Sequence, residues 1–242
     1  MQIITLTTDL GLKDYYVGSI KGALLSELND VCIVDITHNI DKFDIIGAAF
    51  VLKNSYNKFP KGTIHILGVG DEEKVGKYGD EGVIPVVMCH EGYYFIGGDN
   101  GAFSLMLGEG VKPDVLVDID CSYIHRSSGL LTFTTLDLFV PVACMIVKGT
   151  NIEEIGTRKE TFSVEKMFAK SYIDNDCIVG NVIYIDWYGN VITNITKDFF
   201  TKVVGNKRFA LLLGKDRYCF DSVLDTYSDA EEGDIVVLFS IS

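Results

Sequence analysis

The sequence is short of positive charge. Lysine and arginine number 21 against 34 aspartates and glutamates, a formal net charge of −13. Binding a nucleic-acid backbone rests on clustered Lys and Arg, so that class of partner is not expected. An anionic membrane surface is excluded on the same ground. No apolar run is long enough to span a bilayer. Met1-Gln2-Ile3 leads straight into an apolar strand, with no pattern of a signal peptide. There is no Cys-x-x-Cys pair. Several of the six cysteines sit inside apolar runs, such as Cys32 before Ile33-Val34 and Cys89 after Met88. They read as reduced core residues of a cytoplasmic protein. His38, His65, His90 and His125 lack zinc-type spacing, and no metal site is expected.

What the chain has is apolar bulk. Of its 242 residues 48% are hydrophobic, enough for one large domain or a medium and a small one. The acidic surplus suits a small, positively charged ligand. A solvated acidic surface remains the plain explanation for most of those charges.

Strand-like and helical runs alternate in the first half. Ile3–Thr7, Val31–Asp35 and Thr63–Val69 read as strands, and Tyr15–Leu28 and Asp44–Tyr56 as helices. This βαβαβ rhythm predicts an α/β domain with a largely parallel sheet over residues 1–150. Val83–Cys89 and Tyr93–Ile96 form a strand pair around His90-Glu91-Gly92. Val115–Asp118 adds a strand and Asp137–Val147 a buried helix. Residues 151–176 lose the apolar rhythm and read as a linker with some strand content. Closely spaced strands then fill residues 177–242, which predicts a small β-barrel domain.

Four clusters could carry chemistry. Thr8-Asp9-Leu10-Gly11 with Asp14 follows the first strand, where an open α/β sheet binds ligands. A carboxylate there either caps the next helix or holds hydroxyls, an ammonium group or a metal. Asp35-Ile36-Thr37-His38 ends the second strand, with Phe43 beyond it; its plain reading is a cap. Asp99-Asn100-Gly101 is a turn signal. Asp186-Trp187-Tyr188-Gly189-Asn190, followed by Val191-Ile192-Thr193-Asn194, is either a plain β-turn or an amide-bearing binding loop.

Taken in order, and with Phe95-Ile96-Gly97-Gly98 before Asp99, these segments resemble the S-adenosyl-L-methionine (SAM) hydroxide adenosyltransferases, relatives of the fluorinases and chlorinases. The resemblance runs over nearly the whole chain. It implies a Rossmann-like N-terminal domain, a C-terminal β-barrel and a homotrimer with its site at the subunit interface. SAM is then the substrate, with no separate cofactor. Water displaces methionine at the ribose C5′, giving adenosine and L-methionine. By the same resemblance Asp9 holds the ribose hydroxyls, Asp14 and Asp186 lie near the methionine ammonium, and Phe43 and Phe133 wall the ribose. Asn190 reads an adenine edge, flanked by Tyr188 and Ile192.

The chain departs from the family where water is activated by an Asp–Arg–His set. Asp71 stands in for the aspartate, and Lys74 or Lys77 for the arginine. The histidine position is Thr134 and the glycine after it Thr135; His125 is an alternative base from another position. Relatives also continue beyond the strand Ile235–Phe239, where this chain stops at Ser242. Three expectations follow: a hydrolase with an altered water-activating set, a SAM or adenosine binder without turnover, or a halide-dependent enzyme, since a halide needs no base. A Mg²⁺-dependent phosphate-ester hydrolase wants a second carboxylate beside Asp9, and Asp9-Leu10-Gly11 does not offer one.

Overall fold

The computed structural model describes residues 1–71, 82–121, 133–205, 207–214, 216–220, 222–231 and 233–239. The chain divides into two compact units, Met1–Met167 and Phe168–Ser242. Lys74, Lys77 and His125 lie outside the described residues.

The first unit is built on a seven-stranded sheet of order β2-β1-β3-β5-β4-β6-β7. β1 (Gln2–Thr8), β2 (Val31–Thr37), β3 (Ile64–Gly68) and β5 (Tyr93–Gly98) run parallel. β1 is buried from Ile4 to Thr8 because it lies in the sheet interior; a strand buried on both faces reads as a continuous apolar and β-branched run. The sheet is mixed rather than largely parallel. β4 (Pro85–His90) runs against both β5 and β6 (Val115–Ile119), and β7 (Gly156–Lys159) runs against β6. The cause is local. Glu91 and Gly92 take φ of 51° and 82°, the left-handed pair of a two-residue hairpin turn, which only antiparallel neighbours can use. β7 comes from the stretch read as a linker.

Helices follow the parallel strands. α1 (Tyr16–Glu27) buries Val17, Ile20 and Leu24, one stripe at helical spacing. α2 (Ile45–Ser55) starts where the Asp44 carboxylate accepts the Ile46 and Gly47 N–H groups. α3 (Ala102–Leu107) enters directly from the Asp99-Asn100-Gly101 turn. Thr135–Phe139 is a π-helical turn in which Val140 N–H reaches back to Thr135 O, and it runs into α4 (Val140–Val147). The core joins Ile4 and Leu6 of β1, Ile20 and Leu24 of α1, Ile64 and Ile66 of β3, Leu138 and Phe139 of the π turn, and Val142 of α4.

In the second unit β8 (Tyr172–Asp174) pairs with β9 (Cys177–Val179), β10 (Val182–Ile185) with β11 (Val191–Thr193), and β12 (Phe209–Leu213) with β13 (Asp216–Phe220). α5 (Lys197–Val204), capped by Thr196, lies between the second and third pairs in sequence. Among the described residues these are three separate two-stranded ribbons; a closed barrel is not shown.

Candidate functional site

β1 connects to β2 on one side of the sheet, and the chain then crosses to β3 on the other. The order β2-β1-β3 therefore places a topological switch point between β1 and β3. In open α/β sheets ligands bind outside the carboxyl ends of the strands at such a point. Thr8, the last residue of β1, is in register with Gly68, the last of β3. Asp9 and Asp71 follow these two ends.

Asp71 and Thr135 meet there. The Thr135 hydroxyl donates to Asp71 Oδ2 at 2.7 Å across 64 residues of sequence. Thr135 is 2% exposed, and its side chain lies against Gly68: a Cβ on Gly68 would collide with the Thr135 hydroxyl. A glycine inside a strand marks such a close approach. In the sequence, Leu67-Gly68-Val69 carries that signal. The loop after β3 is bolted from the next strand: Asn100 Nδ2 donates to Val69 O and Gly70 O at 2.9 and 3.0 Å. The adjacent Asp99 is buried and accepts Ser163 N and Val164 N. The Asp99-Asn100-Gly101 cluster is thus a structural turn, and Asn100 sets where Asp71 begins.

Asp9 is half-buried, and its Oδ2 accepts the Phe43 N–H at 2.8 Å. Phe43 is 61% exposed. Phe133 packs edge-on against Tyr16 at 5.3 Å, two residues after Asp14, and its N–H is held by Asp137 Oδ2. Asp14 itself is exposed. Thr134 is buried but makes no cap hydrogen bond to the π turn. Of the two threonines it is Thr135 whose hydroxyl meets the carboxylate.

In the second unit Asp186 closes the turn between β10 and β11. Its Oδ1 accepts Tyr188 N and Asn190 N, both at 2.9 Å, and its Oδ2 accepts Asn190 Nδ2 at 2.7 Å. The Asn190 side chain and then the turn N–H groups hold the Asp186 carboxyl below the usual carboxylate range. Asp186 and Asn190 are therefore brought together, while Trp187 and Tyr188 stand 99% and 90% exposed at the tip. Ile192 is half-buried on β11. A cavity of about 420 Å³ between α5, Phe209 and Phe239 holds none of the predicted residues. Among the described residues no group of three or more His, Cys, Asp or Glu side chains could hold a metal ion, and no helix is long and apolar enough to cross a membrane.

The fold is that of an α/β protein with an aspartate after one strand of its switch point and a carboxylate–hydroxyl pair after the next, the place where such sheets bind ligands. The family follows from sequence comparison. Residues 4–156 match the SAM hydroxide adenosyltransferase N-terminal domain and residues 180–242 the C-terminal domain. The chain belongs to the SAM hydroxide adenosyltransferase family. It is 32% identical over 208 residues to a protein of Methanocaldococcus jannaschii named (R)-S-adenosyl-L-methionine hydrolase, covering 83% of this chain and 70% of that one. It is 26% identical over 222 residues to a fluorinase of Nocardia brasiliensis, covering 83% and 73%. Among solved structures, an uncharacterized conserved protein of Thermotoga maritima superposes with a TM-score of 0.81 at 28% identity, over 97% of this chain and 87% of that one.

Proposed function

We propose that this chain hydrolyses SAM to adenosine and L-methionine, with Asp71 and Thr135 in place of the family's water-activating set. The hydrogen bond from Thr135 to Asp71 at the β1/β3 switch point carries this reading. Water's oxygen bonds to the ribose C5′ as the C5′–S bond breaks, and the electron pair leaves on sulfur. Methionine departs as a neutral thioether, so no general acid is needed. The water gives its proton to Thr135 Oγ1 as the hydroxyl proton passes to Asp71 Oδ2. A threonine cannot keep that proton near neutral pH; relaying it to a carboxylate removes the difficulty. General-base help of this kind is typically worth ~10²–10⁴-fold, and the remaining acceleration comes from in-line positioning in a desolvated pocket.

Asp9 holds the ribose hydroxyls, and Phe43 and Phe133 line the ribose. Asp14 and Asp186 lie near the ammonium, and Asn190, between Tyr188 and Ile192, reads adenine. Thr134, beside Thr135, lines the water's side of the site. Support comes from the motif match and from the pairing of Asp186 with Asn190. In this reading the first unit is Rossmann-like and the second a barrel. The protein works in the cytoplasm as a homotrimer with its site at a subunit interface, and neither nucleic acid nor membrane is a partner.

The test is incubation of the purified chain with SAM in halide-free buffer, following both products by chromatography. Equal release of adenosine and methionine is expected. SAM binding without release would overturn the catalytic reading in favour of a binder. Release that requires chloride or fluoride would overturn water as the nucleophile.

A further inference from the structure

A chain of polar groups, buried at Thr8 and His38 and open to solvent at Asp35 and Lys21, starts beside Asp9, and the reaction as proposed gives it no part. Leu10 N–H donates to Thr8 Oγ1 at 3.4 Å, and Thr8 Oγ1 lies 2.8 Å from His38 Nδ1. His38 Nε2 lies 3.1 Å from Asp35 Oδ1, and Asp35 Oδ2 accepts from Lys21 Nζ at 2.5 Å. Thr8 and His38 are 0% and 2% exposed. Thr8 Oγ1 holds one donor and two acceptor sites, so it serves both the Leu10 N–H and the His38 ring nitrogen at once. The Nε2–Asp35 contact is close but out of line for a full hydrogen bond. Burial pushes the Asp35 carboxyl up, but Lys21 and His38 outweigh it and hold it below the usual carboxylate range. A negatively charged carboxylate 3.1 Å from Nε2 favours the ring orientation that turns Nδ1 to Thr8. The register of β2 against β1 skips Ile36, between Asp35 and Thr37, and such bulges re-aim the side chains beside them.

The main chain repeats the stitch. Gly11 N–H donates to His38 O at 2.7 Å and Ile40 N–H to Thr8 O at 3.4 Å. Phe43 N–H closes on Asp9 Oδ2. Thr8, Asp9 and Gly11 are each tied to the 38–43 segment, and His38 supplies two of those ties.

We infer that His38 is a positioning residue: buried between Thr8 and Asp35, it locks the end of β1 so that Asp9 presents its carboxylate in one orientation to a vicinal diol. This rests on the assignment of the ribose to Asp9. It predicts that His38 acts on discrimination between ribose and dideoxyribose rather than on binding of the base.

The experiment measures affinities of the full chain for adenosine and for 2′,3′-dideoxyadenosine by calorimetry. Two charge-assisted hydrogen bonds to the carboxylate set an expected wild-type ratio of roughly 10². In His38→Leu the ratio falls below about 10 while dideoxyadenosine affinity is unchanged. His38→Asn, whose amide reaches the Nδ1 position, restores most of it. A folded His38→Leu protein with the wild-type ratio, or with equal losses for both ligands, would overturn the inference. If His38→Leu does not fold, Asp35→Asn decides: a several-fold fall in the ratio supports the relay and an unchanged ratio overturns it. A wild-type protein that does not discriminate would overturn the Asp9 assignment itself, and the inference with it.

Discussion

Asp9 Oδ2 accepts the backbone N–H of Phe43 at 2.8 Å, and Phe43 holds a left-handed φ of 64°. For a residue with a side chain that conformation costs ~1–2 kcal/mol, and such strain persists where its surroundings over-determine it, often at ligand clamps. The Asp9 carboxylate supplies the restraint. The strained residue offers an exposed ring beside the group assigned to the ribose.

Phe43→Gly separates strain from function. Glycine adopts positive φ freely but loses more entropy on folding, ~0.5–1 kcal/mol. The ring is 61% exposed, so little packing is lost. Thermal unfolding should show stability unchanged or raised by up to about 1 kcal/mol, while SAM affinity falls about tenfold as an apolar wall disappears. A loss of stability beyond 2 kcal/mol would show that the ring is structural.

Thr135→Val keeps the shape and removes the hydroxyl. The relay reading expects kcat to fall about 10²-fold or more with little change in KM. Gly68→Ala drives a methyl against the Thr135 side chain and should cost ~1–3 kcal/mol. In a Thr135→Gly background most of that cost should vanish, measured as coupling in a double-mutant cycle of denaturant unfolding. Additive costs would mean that Gly68 and Thr135 do not touch.

His65 gives a pH signature. Its Nδ1 lies 2.7 Å from Thr5 Oγ1, and its ring stacks on Phe95 at 5.1 Å among Tyr56, Phe59 and Tyr93. Burial lowers its pKa to about 4 from the ordinary 6.5. The unfolded chain therefore binds the proton more readily than the folded one. Stability from this group is complete above pH 6.5 and is lost as pH falls towards 4, by about 3 kcal/mol. Urea unfolding at steps across that window should show the slope, and His65→Gln should flatten it. An unchanged slope in the variant would assign it to other groups.

Much of the fold was legible because burial writes itself into the sequence. The unbroken run Ile3–Leu6 announces a strand covered on both faces, and Glu91-Gly92 announces the hairpin that reverses β4. α3 was missed because six residues after a turn carry too little periodicity to read. In the second unit Phe209–Leu213 and Asp216–Phe220 are legible as strands, whereas Cys177–Trp187 splits into β9 and β10, Val191–Thr193 reads as loop but pairs as β11, and 234–239 keeps only an isolated bridge at Leu238; closure into a barrel is not a local property. The site was half legible. Strand-end aspartates stand out at Asp9 and Asp35, whereas the bond from Thr135 to Asp71 spans two segments whose proximity only the sheet creates. Thr134 drew attention as the aligned position, yet the π turn gives the carboxylate to its neighbour. Gly68 was the one local clue to that contact.

The most direct measurement is a SAM turnover in H₂¹⁸O without halide, with mass analysis of the nucleoside. Attack of water on C5′ predicts adenosine carrying one ¹⁸O on its 5′ hydroxyl, in amounts equal to the methionine released, and in Thr135→Val less product, equally labelled. Adenosine without the label, or no nucleoside at all, would contradict the account.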